Sequence, residues 1–417
     1  MNGPPGSTLA QKKSRRSGKK GTAESTPDAL IGDAQPVPPL VLKEVYEKLC
    51  LNTASKSSPF VQRFSSPPFP RGILNNRNFC YMNSILQSLI FLPPMAQLMC
   101  ALIDHAEVCP FSSAIGKWCL QYWKDKQSRT VCPVLRLPNV GGTSNSFVGS
   151  GATQEDAQEF LQYLLEQLNS EIHALELTFS KPVASKGDVE QSETHEKGWK
   201  TVKGKDKLKF NRQALPVGRS VLLDNLLGGT LESHIKGNAK KKDEVSVSVE
   251  HFYSLPIDIC FSMSCSIEEA LEWSYRKEKV VDDDHSKQLT KTTYLGKLPK
   301  ILCLHLRRWA VTAEGELVKL DNTVRFGKTL VIPSSICAKE VAANQRSYRL
   351  SSVVAHRGAA TAKGHYVSFL TANAANPLIT SSVTEAECVL CDDARVSVVP
   401  FESIRGESSY FLLYHKI

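Results

Sequence analysis

The chain has 417 residues and a formal net charge of +9, with 51 lysine and arginine residues against 42 aspartate and glutamate residues. This length allows one large catalytic unit or two ordinary domains, and no apolar run is long enough to predict a membrane span or a secretory leader. The 12 cysteines have no disulfide-like spacing, which favours reduced thiols and a cytoplasmic location over a secreted one.

Residues 1–70 are expected to form a disordered basic tail and linker, since they begin with a stretch rich in Gly, Pro, Ser and Lys. Helical spacing of apolar residues predicts one short helix within them, at 40–50. The tail contains six basic residues with no acidic residue among them: Lys12, Lys13, Arg15, Arg16, Lys19 and Lys20. This cluster fits a nuclear localisation signal, a nucleic-acid contact or a solvated tail, so a nuclear location is the alternative.

The most informative segment surrounds Cys80. Glycine and asparagine residues precede the cysteine, which is typical of a turn, and apolar residues at helical spacing follow it directly. Cys80 is therefore predicted to lie where a loop becomes a helix. Unpaired backbone N–H groups and the helix dipole favour a thiolate there, and the thiolate is the nucleophilic form of cysteine. Taken alone, the same position also suits a small buried core residue.

The region from Arg71 to Leu177 is predicted to be mainly helical, because apolar residues recur at helical spacing over 115–123 and 157–168. Residues 178–215 are rich in Lys and Glu and are expected to form a surface insertion. From Ser220 onward the pattern changes to strands, predicted at 245–249, 301–306, 352–355, 366–370 and 411–414. Helices followed by a mainly antiparallel sheet indicate an α+β fold.

Two later segments supply a possible base and acid for Cys80. His365 follows a loop rich in Gly and Ala and begins an apolar run, and Asp392 and Asp393 follow another apolar run. A cysteine, then a histidine, then an acid is the order and chemistry of an activated thiol with an oriented base. His356 is the rival base, and a turn is the ordinary explanation for the Asp pair.

Five segments, in the same order along the chain, resemble those of the ubiquitin-specific proteases, which are papain-like cysteine deubiquitinases: residues 71–89, 154–161, 298–308, 364–366 and 409–414. The resemblance implies a papain-like catalytic domain over 71–417. It would consist of a helical thumb at about 71–177, a charged insertion at about 178–215, and β-rich fingers and palm at about 216–417. The substrates and partners implied are ubiquitin and ubiquitinated proteins.

The resemblance also implies roles for the site residues. Cys80 is the nucleophile, His365 the base and Asp392 the third member of the triad, with Asp393 as a supporting neighbour. Asn75 is the implied oxyanion donor; Asn78 is the alternative, and both asparagines could instead only shape the turn. His356 lacks the family context and is interpreted as structural.

The ubiquitin tail is basic and extended and ends in two glycines, so its cleft should be acidic and then narrow. Asp156 and Glu159 are three residues apart and share a helix face, and the resemblance suggests that they meet the tail's arginines; a solvated helix start is the ordinary explanation. Residues 357–363 resemble a blocking loop that frames the tail, next to Gly364 and Tyr366, and Gly358 and Gly364 could serve as pivots.

Two departures from the family pattern affect the function. Residues 228–259 contain no cysteine and Cys388 with Cys391 is the chain's only Cys-x-x-Cys pair, so no metal and no cofactor are expected.

Arg77 stands where the family usually has glycine, which leaves a catalytically weak ubiquitin-binding scaffold as the alternative to an active thiol isopeptidase. A nucleic-acid binder ranks third because only the N-terminal tail supports it. That tail is also the candidate site for adaptor proteins.

Overall fold

The computed structural model describes residues 69–124, 131–137, 155–179, 201–203, 209–211, 218–237, 245–281, 288–360, 363–371 and 383–417. Residues 1–68 of the predicted tail, with its helix at 40–50, lie outside these ranges, as does most of the predicted insertion. Within that insertion the structure has two short strands, at Thr201–Lys203 and Lys209–Asn211.

The described chain begins with helices, as predicted. The first starts at Cys80 itself, which confirms the predicted change from loop to helix, and Pro93 occupies the first turn of the second helix, where its missing N–H costs nothing. The six α-helices of the described residues are α1 (Cys80–Ile90), α2 (Pro93–Ala101), α3 (Pro110–Lys124), α4 (Ala157–Phe179), α5 (Val221–Leu227) and α6 (Ile267–Ser274). Short 3-10 turns lie at Leu102–His105, Ser334–Ile336, Ala343–Gln345 and Phe401–Gly406.

Strands dominate the later part of the chain, which confirms the α+β class. They are β1 (Thr201–Lys203), β2 (Lys209–Asn211), β3 (Gly229–Gly237), β4 (Val245–Phe252), β5 (Leu255–Asp258), β6 (Ser264–Ser266), β7 (Glu278–Val281), β8 (Gln288–Lys297), β9 (Ile301–Arg307), β10 (Trp309–Val311), β11 (Leu317–Lys319), β12 (Thr323–Arg325), β13 (Thr329–Val331), β14 (Ser347–Ala360), β15 (Lys363–Thr371), β16 (Glu387–Asp392), β17 (Arg395–Pro400) and β18 (Ser409–Lys416).

Two large sheets contain most of these strands, and β10 with β11 and β6 with β12 form separate two-stranded sheets. The larger one, here called the palm sheet, has the order β17-β16-β15-β14-β18-β9-β5, with β13 paired to β14. It is antiparallel except for β5, which runs parallel to β9. The second sheet has the order β1-β2-β4-β3-β8-β7, so the strands of the predicted insertion extend its edge. Strands β14 and β15 continue into residues that were predicted as the blocking loop.

The palm sheet separates two apolar clusters. On β14, Val354 belongs to the cluster formed with the helices α1 to α4, whereas Val353 and Ala355 belong to the cluster that contains α6. This alternation follows from the two-residue period of a strand and explains why β14 is apolar on both faces. No single described helix is long and apolar enough to span a membrane; Cys80–Ile90 and Pro93–His105 reach that length only as a pair bent by 99°.

A close backbone contact joins the chain before α1 to the palm sheet. The Ile73 N–H donates to the Asp393 carbonyl at 2.8 Å, and a Cβ added to Gly72 would lie 2.2 Å from the carbonyl oxygen of Ala394. The segment that carries the nucleophile therefore rests on the turn between β16 and β17. Only a residue without a side chain fits at position 72 without moving this turn.

Gly72→Ala should therefore lower the free energy of unfolding by about 1–3 kcal/mol, since the added methyl group meets rigid backbone atoms. Denaturant unfolding of both proteins measures this difference. Gly406→Ala is the matched control, because a Cβ at Gly406 would meet no atom within 4 Å. Equal midpoints for Gly72→Ala and the parent protein would show that this contact is loose.

Candidate active site

Cys80 is the first residue of α1, and its side chain is almost fully buried. The loop before it is shaped by Asn75, whose Oδ1 accepts the backbone N–H groups of Phe79 at 3.0 Å and Arg77 at 3.3 Å. No acidic residue lies in the first turn of α1 and no side chain caps it. The positive end of the helix therefore faces Cys80 without a competing carboxylate.

His365 lies on β15 and contacts both other members of the predicted triad. Its Nε2 is 2.7 Å from Asp392 Oδ1, so Nδ1 is the ring atom left for the thiol. A side-chain hydrogen bond with Cys80, together with the contact to Asp392, raises the pKa of His365 to about 9 despite partial burial. The imidazole is thus held as an imidazolium at neutral pH.

The two aspartates of the predicted pair have different contacts. Asp392 ends β16 and faces His365, whereas Asp393 Oδ2 is 3.9 Å from the same Nε2. Asp393 instead accepts the side-chain amides of Asn75 and Asn83, both at 2.7 Å. It occupies the turn with a positive φ of 49°. Asp392 therefore contacts the histidine, whereas Asp393 contacts the cysteine loop and α1.

Asn83 was not predicted as a site residue, although the sequence carries one signal for it. It is a fully buried amide on α1, one turn after Cys80. A buried amide needs hydrogen-bond partners, and Asn83 finds them in Asp393 and in the carbonyl of Leu74 at 3.2 Å. The side chain of Asn78, the alternative oxyanion donor, is exposed.

Arg77 is tolerated without backbone strain. Among the non-glycine residues of the described chain, only Asp393 has a positive φ, so Arg77 does not need the conformation for which glycine is preferred. Its side chain is exposed and lines a cavity of about 460 Å³ beside the cysteine loop, together with Phe79 and Arg136. The substitution leaves the backbone that positions Cys80 intact.

Asp156 immediately precedes α4 and connects that helix to the palm sheet. Its carboxylate caps the helix through the Gln158 N–H at 2.6 Å and accepts the hydroxyls of Tyr366 and Tyr410, each at 2.9 Å. Partial burial, with the adjacent carboxylates of Asp156 and Glu155, raises the pKa of Glu159. This end of α4 is an acidic cluster in which a cationic ligand would relieve repulsion.

His356 lies on β14, opposite Tyr366 of β15, and does not take the place of His365 beside Cys80 and Asp392. It is fully buried, its ring centroid is 4.6 Å from that of Tyr366, and burial lowers its pKa to about 4. A Cβ added to Gly364 would lie 2.2 Å from His356 Nε2. Close packing, rather than a positive φ, therefore explains the glycine before His365. Gly358 does have a positive φ, of 122°.

Within the described ranges, one group of side chains has the spacing of metal ligands: His365, Asp392 and Asp393. Both carboxylates already accept hydrogen bonds from nitrogen donors, Asp392 from Arg357 and Asp393 from Asn75 and Asn83. These hydrogen bonds account for the close spacing of the cluster, and the predicted absence of a metal stays a prediction.

Comparison with known proteins gives a family and a fold. A family model described as ubiquitin carboxyl-terminal hydrolase matches residues 71–414. Ubiquitin carboxyl-terminal hydrolase 10 of Mus musculus is 27% identical over 347 residues, which cover 72% of this chain and 43% of that protein. The probable ubiquitin carboxyl-terminal hydrolase 3 of Schizosaccharomyces pombe is 27% identical over 332 residues, covering 72% and 64%. The chain thus spans less than half the length of the first of these relatives.

Solved structures of the SAGA DUB module resemble the fold described here. One, bound to monoubiquitin, has a TM-score of 0.58 at 22% identity and covers 90% of this chain and 74% of that chain. Another, bound to ubiquitin aldehyde, has a TM-score of 0.58 at 20% identity, with coverage of 92% and 76%. At this identity the likeness establishes the fold alone.

The first prediction from this geometry concerns the proton on His365. In an NMR titration of labelled histidines, His365 should titrate near pH 9, and Cys80→Ala should lower its pKa because the hydrogen bond with Cys80 is the largest cause of the shift. The resonances of the remaining histidines serve as the internal control. A parent His365 that titrates near its ordinary value of about 6.5 would refute the pairing.

The second prediction separates the two aspartates. Asp393→Ala should lower the free energy of unfolding by about 2 kcal/mol or more, since it removes two charge-assisted hydrogen bonds and leaves the buried Asn83 amide without one of its acceptors. Asp392→Ala is the matched control on the adjacent residue and should cost less, because Asp392 is more exposed. Denaturant unfolding would contradict this division if the Asp392 variant were the less stable one.

Proposed function

The chain belongs to the ubiquitin carboxyl-terminal hydrolase family, whose model matches residues 71–414, and on this basis we propose that it is a cysteine deubiquitinase. It hydrolyses the bond after the C-terminal glycine of ubiquitin in conjugates. The observation that supports this proposal most directly is the position of His365, hydrogen-bonded to Cys80 on one side and to Asp392 on the other. This is the arrangement of an activated thiol with an oriented base.

In the acylation step the Cys80 thiolate attacks the carbonyl carbon of the last glycine of ubiquitin. A carbon–sulfur bond forms, and the carbonyl electrons move onto oxygen. When the tetrahedral intermediate collapses, the bond to the leaving amine breaks and the His365 imidazolium gives that nitrogen its proton. The products are an amine and a thioester between ubiquitin and Cys80.

In the deacylation step a water molecule attacks the thioester. His365, now neutral, takes a proton from the water as the oxygen–carbon bond forms. Collapse of the second intermediate breaks the carbon–sulfur bond and releases the C-terminal carboxylic acid of ubiquitin, which loses its proton to the solvent, and the thiolate–imidazolium pair is restored. Asp392 holds the histidine in the same orientation in both steps, as the acidic residue does in other triads.

Asn75 is the proposed oxyanion donor, together with the backbone N–H of Cys80. A donor that stabilises a developing charge must be fixed before the reaction, and Asn75 is held through its oxygen by Phe79 and through its nitrogen by Asp393. Its amide nitrogen carries two hydrogens, so one remains for the substrate oxygen.

The acidic end of α4 is the proposed contact for the basic tail of ubiquitin. Asp156 and Glu159 supply the carboxylates, and partial burial together with the neighbouring carboxylates of Asp156 and Glu155 raises the pKa of Glu159. Gly364 and Tyr366 would form the opposite wall of a narrow passage for the two glycines. The hydroxyl of Tyr366 donates to Asp156 at 2.9 Å.

The alternative of a catalytically weak ubiquitin-binding scaffold is less well supported. It depended on Arg77 disturbing the loop before Cys80, and the backbone at Arg77 is unstrained. Binding of adaptor proteins by the tail at 1–70, and a cytoplasmic location with a nuclear one as the alternative, remain proposals that rest on the sequence.

A ubiquitin whose C-terminus carries an electrophile tests both function classes. The parent protein should form a covalent adduct with it, detected as a mass increase, and should hydrolyse a fluorogenic ubiquitin amide. Cys80→Ala should lose the adduct and at least about a thousandfold in turnover, because the bond-forming atom is gone. It should retain its affinity for ubiquitin, because the cleft is unchanged.

Cys260→Ala is the matched control, since Cys260 is an exposed cysteine that is not part of the site. It should behave like the parent protein. A parent protein that binds ubiquitin without forming the adduct would favour the scaffold, and turnover by Cys80→Ala near the parent rate would rule out Cys80 as the nucleophile.

A further inference from the structure

Arg357 lies directly across the sheet from the catalytic histidine. It is the register partner of His365 in the antiparallel pair of β14 with β15. Residues directly opposite each other in such a pair project their side chains from the same face of the sheet. Asp392 ends β16, the neighbour of β15 on its other side. His365 is therefore flanked by a guanidinium from one strand and a carboxylate from the other.

The guanidinium of Arg357 joins two carboxylates. Its Nη1 donates to Asp392 Oδ2 at 3.2 Å, while its Nε donates to Glu407 Oε2 at 3.1 Å and its Nη2 donates to Glu407 Oε1. Glu407 follows the last 3-10 turn, and only 17% of its side chain is exposed. This two-point contact fixes the plane of the guanidinium, a geometry that a lysine could not reproduce.

We propose that Arg357, anchored by Glu407, is a positioning residue for Asp392. The two oxygens of Asp392 have separate tasks: Oδ1 faces His365 and Oδ2 faces Arg357. About a third of this side chain is exposed, so packing alone does not fix its rotation. With Arg357 in place, the oxygen that faces His365 has one defined direction. The catalytic part of this proposal rests on the proposed function.

Glu407 also balances the charge beside the triad. The titratable and charged groups around His365 are Cys80 on α1, Asp392 at the end of β16, Asp393 in the turn that follows, and Arg357 on the same face of the sheet, with His356 on the opposite face. Without Glu407, Arg357 would bring an unbalanced positive charge close to the imidazolium. It would also compete with His365 for Asp392. The carboxylate of Glu407 thus allows a cation to sit next to a protonated histidine.

The positioning role and a purely electrostatic role predict opposite signs. If Arg357 acted only through its charge, its removal would favour the imidazolium and raise the pKa of His365. If Arg357 positions Asp392, its removal lets that carboxylate turn away, and the pKa of His365 falls. The variants Arg357→Ala and Arg357→Lys together distinguish these cases, because the lysine retains the positive charge but cannot make the two-point contact with Glu407.

The experiment combines an NMR titration of His365 with steady-state hydrolysis of a fluorogenic ubiquitin amide. Arg357→Ala should lower the pKa of His365 and reduce kcat by about tenfold, with KM within about twofold of the parent value, because a misplaced catalytic group slows chemistry without weakening binding. Arg357→Lys should recover part of the loss. Arg405→Ala is the control, since Arg405 is highly exposed and pairs with Glu402, and it should match the parent.

Three results would overturn the proposal: a rise in the pKa of His365 in Arg357→Ala, an unchanged kcat, or a loss confined to KM, which would make Arg357 a tail-binding residue. If Arg357→Ala does not fold, Arg357→Lys keeps the test available, since it retains the positive charge and should lower the pKa of His365 and kcat only if the two-point contact positions Asp392. A parent protein that hydrolyses no ubiquitin amide would refute the proposed function, whereas the titration of His365 still decides the role of Arg357.

Discussion

The hydrogen bonds from Asn75 and Asn83 to Asp393 are the contact on which the rest of the site depends. Cys80 and His365 come from distant parts of the sequence, one from the first helix and the other from the palm sheet, and a proton can pass between them only over hydrogen-bond distance. Asp393 sits in the palm and holds an amide on each side of Cys80. The same turn supports Gly72 and Ile73 through its backbone.

A second contact joins α4 to the palm sheet, and it uses a residue that the proposed function also needs for binding. Asp156 accepts two tyrosine hydroxyls from the palm. Binding of the ubiquitin tail would therefore use a carboxylate that is already hydrogen-bonded. Asp156 can accept further bonds, because two carboxylate oxygens offer about four lone-pair sites. Glu159 is the carboxylate whose charge is disfavoured before a ligand arrives.

The sequence predicted much of this because several features are local. Helical spacing after Cys80, alternating strands and turn residues report on neighbouring positions, so α1 and the palm strands β9, β14, β15 and β18 were predicted close to where they lie. The order of cysteine, histidine and acid, read with the family resemblance, named the residues that the structure brings together. Their roles in catalysis stay predictions.

The remaining features depend on strand register and on contacts between distant segments. The sequence alone does not reveal three of these contacts. They are the separate contacts of Asp392 and Asp393, the hydrogen bond of Asn83 with Asp393, and the hydrogen bonds that link Glu407 through Arg357 to Asp392. Residues 357–360 were predicted as part of a loop because glycine and alanine are weak strand formers, but pairing with β15 extends β14 through them. The glycine at 364 reflects the bulk of His356, which no local pattern reveals.

The central claim is that Cys80 and Asp392 hold His365 as an imidazolium that serves as the acid in the first step. The pH dependence of kcat/KM for a fluorogenic ubiquitin amide tests this most directly. The rate should stay high through neutral pH and decline above about 9, where His365 loses the proton that the leaving amine requires. A decline centred near pH 6.5, or no alkaline decline up to pH 10, would contradict the account.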